Sequence, residues 1–167
     1  MGMYPGGNIV RVTPTVVVGT THVDDVTFAT TEIPNAVPSR EGTSILHSIG
    51  IIDYDNEKHD LDIIFMQNNV SIGSAGSAPS WSDSDVVDAK LIGGVDVDWD
   101  IAKVSVSVAE MAFFSGTNRN ANTQQLPMMV QGGSNSTSIY FTAITRAETD
   151  FAANNNLEFV FHFQYLG

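Results

Sequence analysis

Apolar and polar residues alternate with a period of two along most of this 167-residue chain. Neighbouring side chains of a strand point to opposite faces of a sheet, so this alternation predicts strands with one buried face. Leu157–Tyr165 shows it most clearly, because apolar, mostly aromatic residues fill every second position there. We predict strands in the ranges Asn8–Thr20, Ser44–Tyr54, Leu61–Gln67, Val95–Asp100, Val104–Ala109, Leu126–Val130, Ser138–Ala147 and Leu157–Tyr165.

Short polar segments rich in Gly, Asn, Ser and Pro separate these strands, as expected for turns. Asp53–His59 joins two strong strands and is interpreted as a hairpin turn. Gly73–Pro79 is predicted to be a loop, and Gly116–Asn122, Gly132–Ser136 and Asn154–Asn156 are predicted to be turns.

One short helix is predicted at about residues 82–92. Ser82 or Asp83 can cap it, acidic residues occupy its first turn, Lys90 lies near its end, and Gly93-Gly94 would stop it. Apolar residues with roughly helical spacing are Val86, Val87, Leu91 and Ile92. The helix would be about two to three turns long, which is shorter than average.

Many short strands, polar turns and one short helix predict an all-β fold, a β-sandwich of which the jelly roll is one form. The length suits one domain, so we predict a single sandwich over residues 1–167. Its first residues, about 1–12, are expected to form an extended N-terminal arm. The pattern leaves the order of the strands open.

Composition excludes several classes of function. The chain has 19 acidic and 7 basic residues, a net charge of -12, so it lacks the basic patch that nucleic acid or an anionic membrane would need. Cysteine is absent, which excludes disulfides and thiolate chemistry. No apolar run approaches the length of a membrane span, and residues 1–7 do not resemble a secretory signal.

The sequence presents no constellation that indicates catalysis, a metal or a cofactor. The G-x-S-x-G nucleophile motif is absent, and we interpret His22, His47, His59 and His162 as packed or exposed side chains. Asp53–Glu57 begins like a calcium loop, but the sixth and twelfth positions are Lys and Ile, where Gly and Glu are required. The acidic residues at 96, 98 and 100 are interpreted as a solvated face or a docking patch for basic side chains.

The aromatic face of Leu157–Tyr165 is the most informative feature. We favour a core strand, with a strand packed between subunits as the alternative. The apolar N-terminal strand could likewise add to the sheet edge of a neighbour. Trp99 is expected in the core, whereas Trp81 would either fasten the helix to the sheet or lie exposed. The candidate interface residues are Tyr4, Ile9, Val10, Val12, Trp81, Phe159, Phe161, Phe163 and Tyr165.

Several segments together resemble small virion structural proteins of tailed, particularly marine, bacteriophages. These segments are Glu32–Val37, Gly42–Ile49, Asp60–Phe65, Ser82–Asp85, Leu91–Gly93 and the closing strand Phe159–Gly167. The similarity covers roughly residues 30–108 and the C-terminus, and its motifs are structural.

The resemblance implies a non-enzymatic part of the virus particle, most plausibly a capsid decoration or cement protein. Such a protein would be made in the host cytoplasm, bind the major capsid protein on the outer surface of the head and stabilise the shell. We expect a homo-oligomer, with a trimer preferred. The alternatives are a carbohydrate- or receptor-binding module on the virion surface and a neck or tail component.

Overall fold

The computed structural model describes residues 6–58, 60–99, 103–105, 109–115 and 126–166. Tyr4, His59, Asp100 and the predicted turn Gly116–Asn122 lie outside this part of the chain. The strands are β1 Gly7–Val12, β2 Gly19–Thr21, β3 Val26–Ile33, β4 Thr43–Asp53, β5 Leu61–Met66, β6 Leu91–Val97, β7 Lys103–Ser105, β8 Glu110–Ser115, β9 Met128–Gln131, β10 Ile139–Thr145, β11 Thr149–Phe151 and β12 Leu157–Leu166. The helix α1 spans Asp83–Ala89.

The main strands form two antiparallel sheets that pack as a sandwich. One sheet has the order β1-β12-β4-β8-β7, and β9 pairs with β4 beyond the end of β8. The other has the order β3-β10-β5-β6. We count β8 and β9 as two halves of one strand and leave aside the short strands β2, β7 and β11. The remaining eight strands, numbered in chain order, then follow the order 1-8-3-6 in one sheet and 2-7-4-5 in the other. This is the jelly-roll arrangement. The all-β sandwich prediction is confirmed, and the predicted short helix is present as α1.

Phenylalanine rings from both sheets form the centre of the core. Phe141 of β10 contacts Phe28, Phe65, Phe159 and Phe161, with ring centroids 5.0–6.4 Å apart. All five side chains are fully buried. Alternation places these rings on the inner face of their strands, where each removes a large apolar area from water. The core interpretation of the β12 aromatic face is confirmed, as is that of Trp99.

The segment after β4 is not a hairpin turn, so that prediction is wrong. β4 pairs with β12, β8 and β9, whereas β5 pairs with β10 and β6, so the segment carries the chain from one sheet to the other. The carboxylate of Asp53, which is buried, accepts hydrogen bonds from the backbone N–H groups of Asp55, Glu57 and Lys58 at 2.8–2.9 Å. This side chain satisfies backbone donors where no strand partner is present.

The helix forms where predicted but ends earlier. Ser82 is its N-cap, and a reciprocal pair of bonds between Ser82 and Asp85 completes a capping box. Lys90, with a left-handed φ of 49°, ends the helix, and Leu91–Val97 continues as β6. The expected stop at Gly93-Gly94 is therefore wrong, because backbone pairing with β5 starts at Leu91.

Asp96, the first of the three acidic residues at 96, 98 and 100, does not belong to a solvated face. Only 5% of Asp96 is exposed, and its carboxylate pairs with the guanidinium of Arg146. Arg146 also lies 3.8 Å from the carboxylate of Asp62, on the neighbouring strand. Burial raises the pKa of Asp62, and Arg146 partly opposes that shift. The ion pairs thus tie the chain just after β10 to β5 and β6.

Candidate functional site: the outer face of the six-stranded sheet

The surface with the strongest functional character is the face of the six-stranded sheet that points away from the core. We call this surface the outer face. Paired residues of neighbouring strands share a face, so the register defines its rows. One row runs Arg11, Val160, Gly50, Phe113, and the row beside it runs Ile9, His162, Ser48. A third row contains Gln164, Ile45 and Met129.

Large apolar side chains on the outer face are exposed to solvent. The exposed fractions are 63% for Ile9, 57% for Phe113 and 65% for Met129. Phe113 lies across Gly50, since a Cβ built on that glycine would be only 3.3 Å from the ring. Gly50 thus leaves room for the ring to lie flat on the sheet. The three side chains lie on β1, β8 and β9 and share one face of the sheet, which makes this face the candidate contact surface.

A β-bulge at His47 places polar groups in the middle of the outer face. In the pairing of β4 with β12, Ser48 faces His162 and Leu46 faces Phe163, so His47 has no opposite residue. Along the other edge of β4, β8 ends opposite Ser48 and β9 begins opposite Leu46. The extra residue bends the strand and re-aims its side chains.

Two hydrogen bonds hold the polar side chains at the bulge. His47 Nε2 lies 2.7 Å from Gln164 Oε1, and Ser48 Oγ lies 3.0 Å from His162 Nδ1. A serine bonded to an imidazole has the first two parts of a nucleophile–base arrangement, which also needs a third group to orient the base. In the described part of the chain, no carboxylate is hydrogen-bonded to His162. Chemically, the bulge offers directional hydrogen bonds to a docked surface.

At one end of the outer face, a salt bridge and a tyrosine surround a single carboxylate. Arg11 Nη1 lies 2.6 Å from Glu158 Oε1, and the Tyr54 hydroxyl donates to Glu158 Oε2 at 2.7 Å. These two hydrogen bonds, that of Tyr54 first, lower the pKa of Glu158. The same bond to the carboxylate raises the pKa of Tyr54. Glu158 is therefore ionised and fixed in orientation at neutral pH.

This carboxylate predicts a pH dependence of stability. The folded pKa of Glu158 lies below its ordinary value of 4.5, so its contribution is complete above that pH and is lost as the pH falls through the folded pKa. We expect Glu158→Gln to lower the free energy of unfolding by about 1–2 kcal/mol at pH 7, with the difference shrinking on acidification. Urea unfolding from pH 7 to pH 3 measures this. For the matched control, Glu57→Gln at an exposed position, the free energy of unfolding should change with pH as it does in the wild type. A difference between Glu158→Gln and the wild type that stayed constant with pH would contradict the stabilising role of the ionised Glu158.

The candidate interface residues fall into two groups. Phe159, Phe161 and Phe163 are buried in the core of this one chain, and so is Val10, so another subunit could not contact these side chains. The physical reason is that β12 lies between β1 and β4 and presents its aromatic face to the opposite sheet.

Among the other candidates that the structure describes, Ile9 lies on the outer face, and the rest are only partly accessible. Val12 is half-buried against the core. Trp81 packs against the smaller apolar cluster beside α1, and its Nε1 donates to the carbonyl of Ser71 at 3.0 Å. Tyr165 is half-buried and donates its hydroxyl hydrogen to the carbonyl of Asn35 at 2.8 Å.

The predicted N-terminal arm is shorter than expected among the described residues. Gly7–Val12 pairs with β12 of its own chain along its whole length, from Gly7 opposite Gln164 to Val12 opposite Phe159. Backbone hydrogen bonding within the chain thus uses one edge of β1. Its other edge is the free edge of the sheet in the described strand order.

Sequence reasoning missed two side chains that dominate the outer face. Phe113 and Met129 lie in segments where two large apolar residues are adjacent, Phe113-Phe114 and Met128-Met129. A strand sends such neighbours to opposite faces, so one of each pair had to point away from the core. That signal was present, but it does not tell which of the two is exposed.

Neither the described residues nor the comparisons with known proteins point to a metal site, a membrane span or a family. Among the described residues, no group of three His, Asp or Glu side chains is placed to hold a metal ion. No helix in the described ranges is long and apolar enough to cross a membrane. No protein-family model matches the chain, and no curated protein matches its sequence.

Proposed function

We propose that this chain is a virion structural protein that attaches to the outer surface of a bacteriophage head and stabilises it. The observation that carries the proposal is the outer face, a sheet surface on which Ile9, Phe113 and Met129 are largely exposed. A surface that buries such side chains gains free energy in proportion to the apolar area removed from water. We infer that the chain anchors itself to the head and carries out no catalytic step.

The fold and the charge support the same proposal. Jelly rolls occur in viral capsid and lectin domains, among others, and serve there as compact building blocks. The net charge of -12 favours a neutral or basic partner surface and discourages adhesion to nucleic acid. The proposed partner is the major capsid protein, contacted by the exposed apolar side chains of the outer face. The polar groups at the His47 bulge would fix its orientation.

A homo-oligomer, preferably a trimer, would strengthen attachment through multivalency. Several identical outer faces held together bind a symmetric shell more tightly than one, because the second contact is intramolecular. Light scattering on the purified chain should therefore give the mass of a trimer. A monomer would leave the docking face in place but remove the multivalent part of the proposal.

If the outer face contacts the capsid, a charge placed on it should weaken binding. Phe113→Asp places a charge in the middle of the proposed contact, and we expect at least a tenfold weaker association with capsids, about 1.4 kcal/mol or more. Co-sedimentation of the protein with expanded capsids of its phage measures this. Phe113 is on the surface, so circular dichroism should show that the variant still folds.

The matched control is Val87→Asp, which puts the same charge on an exposed valine of α1. It should bind capsids like the wild type. Equal binding by both variants would show that the outer face is not the contact. If the wild type does not bind capsids but labels the neck or tail in electron micrographs, the chain belongs to that part of the particle instead.

A further inference from the structure

Two histidine side chains lie close to each other on the outer face. His47 is the bulge residue of β4 and is exposed to solvent, and its Nε2 lies 2.7 Å from Gln164 Oε1. His162 is half-buried opposite Ser48, with its Nδ1 3.0 Å from Ser48 Oγ. Gln164 and His162 are alternate residues of β12 and therefore share a face. The two imidazole rings thus occupy neighbouring rows of the surface that we propose to contact the capsid.

The hydrogen bonds determine what the neutral rings offer to a partner. Gln164 Oε1 is an acceptor, so His47 donates to it from Nε2, and Nδ1 of the neutral ring remains an acceptor. The Ser48 hydroxyl donates to Nδ1 of His162 or accepts from it, according to the tautomer. Protonation makes every ring nitrogen a donor and adds one positive charge to each ring. The two rings then present donors only, and the free acceptor of His47 is lost.

The charged groups of the outer face do not offset the charge of protonated histidines. Among the described side chains of its strands, Arg11 of β1 and Glu158 of β12 are charged, and the titratable Tyr54 lies beside them. Glu158 comes four residues before His162 on the same strand, roughly 13 Å away. Both of its oxygens are already bonded, one to Arg11 and the other to Tyr54. In the part of the chain that the structure describes, neither imidazole ring of the bulge is hydrogen-bonded to a carboxylate.

Docking would move the two rings out of water. A neutral imidazole that keeps its hydrogen bonds is buried at small cost, whereas an unpaired charge is costly to bury. Arg11 and Glu158 offset each other, so protonation of both histidines leaves the face with two uncompensated positive charges. A neutral or basic partner surface, which the net charge of -12 favours, supplies no carboxylates to pair with them.

We propose that protonation of His47 and His162 releases the chain from its partner, so that attachment through the outer face is switched by pH. The docked chain binds fewer protons than the free chain. Association therefore weakens as the pH falls through the range in which histidine side chains take up a proton, about pH 5–8. This inference rests on the proposed function, because it describes how the same contact is regulated.

Co-sedimentation with expanded capsids at pH 8 and at pH 5.5 measures the switch. The wild type should bind at least about tenfold more weakly at pH 5.5. The folded pKa of Glu158 lies below 4.5, so its salt bridge with Arg11 is intact at both pH values. Circular dichroism should therefore show the same fold at both.

The double variant His47→Gln/His162→Gln keeps polar side chains that do not take up protons in this range. Its Kd at pH 5.5 should lie within about threefold of its Kd at pH 8. Only this ratio is compared, so weaker binding of the variant at both pH values does not affect the result. The matched control His22→Gln changes an exposed histidine that lies next to β2, beside Glu148, and it should keep the wild-type ratio. The capsid is the same in every measurement, so its own response to pH cancels.

The outcomes separate the switch from the attachment itself. Equal ratios for the wild type and the double variant would overturn the switch and leave the attachment proposal standing. Tighter binding of the wild type at pH 5.5 than at pH 8 would also overturn it, because the partner would then supply carboxylates to the protonated rings. No binding of the wild type at pH 8 would contradict the attachment proposal, and the switch with it.

Discussion

Phe141→Ala is expected to lower the free energy of unfolding by about 3–5 kcal/mol, the largest effect of any single substitution discussed for this chain. Phe141 is fully buried and contacts four other phenylalanine rings, two of them from the opposite sheet. Its removal leaves a cavity that rings from two separate sheets cannot easily fill. Urea unfolding followed by tryptophan fluorescence measures the change.

Phe113→Ala is the matched control for this prediction. It removes the same side chain from a position that is 57% exposed, so the loss should be about 1 kcal/mol or less. If the two variants were equally destabilised, Phe141 would not be the centre of the core. The contrast also separates the two roles of phenylalanine here, since Phe141 stabilises the sandwich and Phe113 is proposed to contact the capsid.

Arg146→Met is expected to cost about 2–3 kcal/mol. The substitution keeps an apolar stem but removes the guanidinium that pairs with the buried carboxylate of Asp96 and lies near Asp62. Removing one partner of a buried ion pair typically costs about 3–5 kcal/mol, and we expect less because 38% of the Arg146 side chain is exposed.

A second substitution tests the cause of that loss. Asp96→Asn in the Arg146→Met background removes the charge that was left without its guanidinium, so part of the stability should return. Arg40→Met, at an exposed arginine, should have an effect within about 0.5 kcal/mol of zero. An Asp96→Asn change that further destabilised the Arg146→Met variant would mean that the carboxylate is held chiefly by other groups.

Parts of the fold could be predicted from local pattern alone. β12 alternates and β5 is apolar at every position but Asp62, and both formed within a residue or two of the predicted ranges. By contrast, β3, Val26–Ile33, and β8, Glu110–Ser115, were not predicted. β3 has consecutive Ala, Thr and Thr residues in its middle and no regular alternation, and its strand conformation depends on pairing with β10.

The candidate site was predicted less well than the fold, for a physical reason. Burial of a strand face depends on which neighbour covers it, and the sequence does not give the neighbour. Phe159, Phe161 and Phe163 were expected either in the core or between subunits, and the packing of the two sheets put them in the core. The exposed Phe113 and Met129 became recognisable only when the register placed them on the outer face.

The sequence by itself determined the all-β class, the short helix α1 with its cap, and the acidic, cysteine-free composition. These properties follow from periodicity, cap chemistry and composition, which act over a few residues or over the whole chain. Only the tertiary structure decided the jelly-roll strand order, the crossing from β4 to β5, the bulge at His47 and the exposure of Phe113 and Met129 on the outer face. Each of these depends on contacts between residues far apart in the chain, whose geometry is set when the two sheets pack.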